Sequence, residues 1–468
     1  MDFAPVRPAS SQTSWSAILA GLLVALATIA LVALGTPRIA GLTVVGLGVF
    51  IYFAYGNVYE KSLLLTVVVA CLLPGEMFRK ILKPEEVMPL IALLFLALRP
   101  RDPAQPSAVS GLCTTELWVV LLAAAAFQGA IHGIVAGHPF GHVVNEFGLY
   151  LQFAVAIVVI RGNPGEEWTK RLVQFLIFCG VLVALSYMRV FVSHGGAARA
   201  VSDQQVLFIL TVPLAFAFLF LERSLKRRAI WLASLLVMIP GVYVTQTRAI
   251  WLYVPFSISL LAVLYALHHH IKLRSLAVFG SAVAVAALAV GGFILLTKGM
   301  SAGHATIAAR AGTLGKLGTD LSLAVRVDMG FQALKRGLAA PLWGCGLGDY
   351  FRPNIVYLRL DAYFLDFTYV WVFWKLGLLG LVATVGLYAV FMNRVWFVYR
   401  RTDDLFQRRV AAGVFVSFVA LLAIGFESGV LTNFRFNLVW AALMGVFELW
   451  KQRIERTQPA ATRAEPRS

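Results

Sequence analysis

The chain has 468 residues, 60% of them hydrophobic and 13% charged, with a net charge of +17 and a mean hydropathy of +0.80. A soluble chain covers its surface with about 25% charged residues, so a soluble globular protein is excluded. The positive charge sits in short clusters between apolar runs, such as "ERSLKRR" at 222–228, "HHHIKLR" at 268–274 and "NRVWFVYRRTDDLFQRR" at 393–409. That is the pattern of cytoplasmic loops in a membrane protein, not of a nucleic-acid-binding face.

In chain order, "MDFAPVRPASSQTSW" lacks a basic leader region with a small-residue cleavage site and reads as a cytoplasmic tail. Apolar runs predict membrane spans at 14–35, 40–55, 61–75, 87–98, 114–133, 146–160, 171–192, 204–222, 229–245, 249–267, 275–297, 367–393, 408–427 and 433–450, about 12–14 in all. The stretch 61–98, interrupted by "PGEMFRKILKPEE", also reads as one re-entrant unit. The fold class expected is all-α and polytopic, organised as N-terminal spans 1–297, a large outer loop 298–366, C-terminal spans 367–450 and a cytoplasmic tail 451–468.

With the N-terminus inside, the basic loops at 99–102, 161–171, 222–228, 268–274 and 394–409 all fall on the cytoplasmic side. The loop 76–86, with Arg79, Lys80 and Lys83, disagrees. Segment 298–366 is too long for its charge to set topology, and a long structured loop in a compact protein is usually functional. It predicts an amphipathic helix over 319–338, with Leu321, Val325, Met329 and Ala333 on one face. Pro341, Gly344, Gly346 and Gly348 in "PLWGCGLGDYF" then end that helix and permit tight turns.

The four cysteines have neither disulfide nor zinc spacing. No nucleotide-binding loop, HExxH, GxSxG or DxD motif occurs, and "TDD" at 402–404 reads as a solvated charge cluster. Arginines gather instead at the outer side: Arg189 near the end of its span, Arg199 in the next loop, Arg248 at the start of an inward span and Arg326 on the loop helix. Each alone could snorkel or pair with a carboxylate such as Glu427. Together they predict an anion site, since guanidinium binds phosphate bidentately and keeps its charge.

"TQTRAIWL" (245–252) resembles the Ser/Thr-x-x-Arg-Gly-Ala-type signature of the O-antigen ligase/polymerase superfamily. "RVDMGFQALKRGLAAPLWGCGLGDYF" (326–351) resembles that family's loop helix and Pro-x-x-Gly-x-Gly-x-Gly run. "DFTYVWVFWKLGLLGL" (366–381) resembles its following segment, where relatives carry His-Asn, about nine residues and a Gly-Leu-x-Gly helix. The blocks occur in the family's order over 245–385; elsewhere the likeness is one of topology.

The resemblance implies a GT-C-like glycosyltransferase of the bacterial inner membrane, active at the periplasmic face and using neither metal nor other cofactor. It would move a glycan from an undecaprenyl-diphosphate donor to the hydroxyl of a glycan or lipid-linked acceptor. Membrane lipids and a chain-length regulator are the further partners implied, and nucleic acid is not. The chain departs from the ligase pattern: Asp366 and Phe367 stand at the His-Asn positions, and Ala249 follows Arg248. This favours polymerisation of exopolysaccharide or O-antigen repeat units over ligation to lipid A core.

Arg189, Arg199, Arg248 and Arg326 are the expected diphosphate-binding residues and Asp366 the candidate base; Asp366 also reads as a helix cap or a partner of Arg326 or Arg359. Gly346 and Gly348 belong to either a substrate-shaping loop or a structural turn. Asp349, Asp361 and Tyr363 read as ordinary loop contacts. Trp371 and Trp374 line a polyprenyl groove, face lipid or sit at the membrane interface. A lipid-linked oligosaccharide flippase, which would need polar residues along a membrane path such as Gln152 and Ser186, and a peptidoglycan glycosyltransferase are the competing classes.

Overall fold

The computed structural model describes residues 112–195, 203–222, 224–269, 272–297, 304–305, 307–308, 312, 321–352, 365, 367–425 and 434–457. The spans expected before residue 112 lie outside the described residues, as do Arg199, Arg359, Asp361, Tyr363, Asp366 and Glu427.

Among the described residues the structure is all-helical. The helices are α1 (Thr114–Val135), α2 (Phe140–Leu151), α3 (Ala154–Gly162), α4 (Glu166–Ser193), α5 (Leu207–Leu221), α6 (Leu225–Val244), α7 (Arg248–His269), α8 (Lys272–Leu296), α9 (Leu321–Ala339), α10 (Thr368–Arg401), α11 (Leu405–Ile424) and α12 (Phe434–Thr457). Among the described residues, eight helical segments are long and apolar enough to cross a membrane, with α2 and α3 forming one such segment. The chain is a multi-pass helical membrane protein.

Local sequence sets the ends. Asn163 takes the left-handed conformation (φ 42°) that closes α3, and Glu166 and Glu167 in the first turn of α4 complement its dipole. Asp404 caps α11 by accepting from the Phe406 N–H at 2.8 Å, so part of the "TDD" cluster is a helix start. The amphipathic helix expected over 319–338 is α9.

The bundle has two halves. In one, α10 packs against α1, α12 and the loop helix α9, and α3 packs against α12. In the other, α5 packs against α4, α6 and α7, and α8 against α6 and α7. Helix α11 joins them through α5, α7 and α10. Helix α5 is apolar all round and its residues 207–218 are buried, as expected of a helix surrounded by others.

The two ends of the bundle differ. At the end where α10 meets α11, buried carboxylates pair with arginines: Glu116 with Arg161, Glu448 with Arg394 at 2.8 Å, and Glu222 with Arg409 at 2.8 Å. The opposite end carries α9, the glycine-rich turn and the starts of α7 and α10.

Candidate functional site

Two arrangements occupy the α9 end. The first is a clasp formed by residues 341–349. The turn enters between α1 and α10 and bonds to both through its backbone. Cys345 N–H donates to Trp374 O (2.8 Å), Gly346 N–H to Lys375 O (3.1 Å) and Leu347 N–H to Gly129 O (2.9 Å), while Leu378 N–H donates to Pro341 O (2.8 Å). The α10 groups involved are those freed by a break at Gly377 (φ 64°, ψ −162°). Non-helical backbone at membrane depth must find partners inside the protein, and the clasp supplies them.

Glycine is required where the turn meets the backbone of α1. Gly346 has φ +91°, and a Cβ there would stand 2.6 Å from the Gly133 backbone nitrogen.

Charge fixes the clasp further. Lys375 Nζ donates to Glu146 Oε1 at 2.7 Å and to the Asp349 carbonyl, and Gly348 N–H donates to Glu146 Oε2 at 2.8 Å. Lys375 is 0% exposed and Glu146 1%. Asp349 accepts from Arg336 of α9 at 2.9 Å and from Trp374 Nε1 at 2.8 Å. A buried ion pair stands only when the remaining hydrogen-bonding capacity of both ions is met, and here much of it is. Asp349 makes the loop contacts expected of it. Trp371 and Trp374 are buried, so neither faces lipid; Trp371 stacks on Tyr150 and Trp374 meets Phe351 edge-on.

Gly346 and Gly348 thus spend their N–H groups on Lys375 and Glu146. Burial pushes the Cys345 thiol beside them up to about 11.

The second arrangement lies in the other half, where α4, α6, α7 and α8 end together. The "TQT" turn joins α6 to α7. Thr245 Oγ1 donates to Val242 O (2.8 Å), Thr247 N–H to Thr245 Oγ1 (3.2 Å) and Thr247 Oγ1 to Gln205 Oε1 in the turn before α5 (2.7 Å). Gln246 is buried at φ +53°, a conformation unusual for a non-glycine residue and held by these bonds. Arg248 follows as the first residue of α7, half-buried.

One turn on, Trp251 stacks on Tyr243, and Tyr243 meets Phe293 edge-on. Phe191, two residues past Arg189 in the last turns of α4, packs on Phe293 and His304. Beneath these aromatics runs a cavity of about 620 Å³ between α6, α7 and α8, its walls including Val242, Trp251, Pro255, Val290 and Ile307. The lining is almost wholly apolar, and its size is that of a small-molecule site.

Of the arginines expected at the site, Arg189 and Arg248 therefore lie on helix ends that meet at one aromatic cluster. Arg326 lies on α9, half-buried. None of the three is without an interaction partner. Sequence reasoning missed the Glu146–Lys375 pair. The signal was present: each is a lone ion inside an apolar run, and such ions mark interior contacts.

No family model and no curated protein matches the chain.

Proposed function

We propose that the protein is a metal-independent glycosyltransferase of the bacterial inner membrane. It transfers a glycan from undecaprenyl diphosphate to an acceptor hydroxyl, polymerising exopolysaccharide or O-antigen repeat units. The α9 end is the periplasmic face, and the apolar groove with Arg248 is the donor site.

One observation carries this reading: Arg248, half-buried, begins α7 one turn before Trp251, a wall of an apolar groove between α6, α7 and α8. A polyprenyl diphosphate has these two chemistries in series, an apolar chain and a compact anion. The groove takes part of the chain. Arg248, with Arg189, Arg199 and Arg326, meets the charge that grows on the leaving diphosphate, the main demand of a transfer without metal. Asp366, which precedes α10 in the sequence, is a candidate for the acceptor's base. Gly346 and Gly348 contribute by holding α10 and the loop in place. Ligation to lipid A core uses the same donor chemistry and remains the alternative acceptor.

A flippase is less well supported. Glu146, Lys375 and Gln152 are buried polar groups, but residues 438–447 of α12, between Asn437 and Glu448, are all apolar. That interval is about 16 Å of helix.

The test is polymer laddering in a deletion strain complemented with wild type, Arg248→Ala or Asp366→Asn. We expect Arg248→Ala to lose the ladder at normal protein level. Full laddering from both variants would remove the proposed site.

A further inference from the structure

We propose that His304 is the group that takes the proton of the acceptor hydroxyl, through its Nδ1 atom. This rests on the glycosyl-transfer reading above and names a different base from Asp366.

The hydrogen bonds around the ring fix its tautomer. Thr297 Oγ1 donates its only proton to Phe293 O at 2.7 Å. It can therefore only accept from the ring nitrogen 2.9 Å away, His304 Nε2. Nε2 thus carries the hydrogen, and Nδ1 presents its lone pair. Facing Nδ1 is the Tyr243 hydroxyl at 3.4 Å, well beyond the usual length for an O–H donor. One nitrogen is held by an orienting group and the other is loosely occupied, the arrangement of a positioned base.

The position fits the task. Among the described residues, Tyr243 from α6, Phe191 from α4 and Thr297 just past α8 stand against the ring. Tyr243 is also a groove wall, and it stacks on Trp251, one turn past Arg248. His304 is half-buried beside Ile307, another groove wall. An imidazole in this place is a proton acceptor set against Tyr243, a wall of the apolar groove, and against the ends of α4 and α8.

In the transfer, the acceptor hydroxyl replaces Tyr243 at Nδ1. Its oxygen forms the new bond to the anomeric carbon while the bond from that carbon to the diphosphate oxygen breaks. The electron pair of the broken bond leaves with the diphosphate. The acceptor proton moves to Nδ1, and the imidazolium later yields it to water.

The experiment uses the full-length protein in proteoliposomes, supplied with lipid-linked oligosaccharide extracted from a strain lacking the gene. Release of undecaprenyl diphosphate is followed for wild type, Arg248→Ala, Asp366→Asn, His304→Gln and His304→Gly, the last with and without imidazole. We expect His304→Gln to slow release by about 10²–10⁴-fold, the usual worth of a general base, and by more than Asp366→Asn does. Imidazole should restore part of the His304→Gly rate.

Wild-type rate from His304→Gln, with Arg248→Ala inactive, would overturn the base assignment and leave the site standing. Loss in a His304→Gly protein that melts like wild type but gains nothing from imidazole would also overturn it, because the ring would then serve structure alone. No release from wild type would overturn both the reading and the inference.

Discussion

The clasp and the groove lie at the same end of the bundle and are built in opposite ways. In the clasp, backbone and charge are tied together by short bonds: a glycine turn satisfies the broken backbone of α10, and Lys375, Glu146 and Asp349 lock it from within. In the groove, α6, α7 and α8 leave about 620 Å³ between them, with an almost wholly apolar lining. The difference separates roles. A region whose polar groups are spent internally holds shape; a region with an open apolar volume can hold a ligand.

Breaking the clasp should do the greatest damage. Lys375→Met leaves Glu146 charged, buried and unpaired, which costs about 3–5 kcal/mol. The expected outcome is little folded protein on detergent size exclusion. Replacing both ions, with Lys375→Met and Glu146→Leu together, should recover much of the melting temperature, because a buried pair is often dispensable when both members go. If the single variant melts like wild type, the clasp does not hold the fold.

Changes at the groove should spare the fold and strike activity. Arg248→Ala is expected to slow transfer by about 10²–10³-fold, the usual worth of one electrostatic stabiliser of the transition state, with a melting temperature close to wild type. Filling the groove with Ala286→Trp should weaken donor use by about tenfold, as misfit in an apolar pocket does. Its check is the donor concentration needed for half-maximal rate. Equal loss of stability and activity in these variants would erase the distinction between the two regions.

The smallest effect is a rate of labelling. Burial pushes the Cys345 thiol from 9.0 up to about 11, so less reactive thiolate is present at any given pH below that value. Maleimide should modify native Cys345 slowly at neutral pH, and faster as pH rises toward about 11. The unfolded chain should react at the ordinary thiol rate. Fast neutral labelling of native protein would mean that the clasp opens readily.

Much of the bundle was legible because hydropathy and charge act locally. The spans at 114–133, 171–192, 229–245 and 249–267 appear as α1, α4, α6 and α7 within a few residues. The span expected at 146–160 begins earlier, at Phe140, and breaks between α2 and α3. Its first turns carry His142, Asn145 and Glu146, which look too polar for a span until Lys375 is placed against Glu146 from 229 residues away. Hydropathy cannot register a partner that distant.

The glycine run was legible as a set of turns, since Gly344, Gly346 and Gly348 all take positive φ. Its destination was not, because that depends on the break in α10 and on the small residues of α1. Arg189 and Arg248 were legible as ions at helix ends. The aromatic cluster that unites those ends is a product of helix packing.

On the proposed function, the groove and its arginine serve bond formation on a polyprenyl-diphosphate glycan. This is tested by counting undecaprenyl diphosphate released per glycosidic bond formed, in proteoliposomes given labelled lipid-linked oligosaccharide. We expect one released per bond with wild type and a large loss with Arg248→Ala. Labelled glycan that reaches the other leaflet still attached to its lipid, with no release, would contradict it.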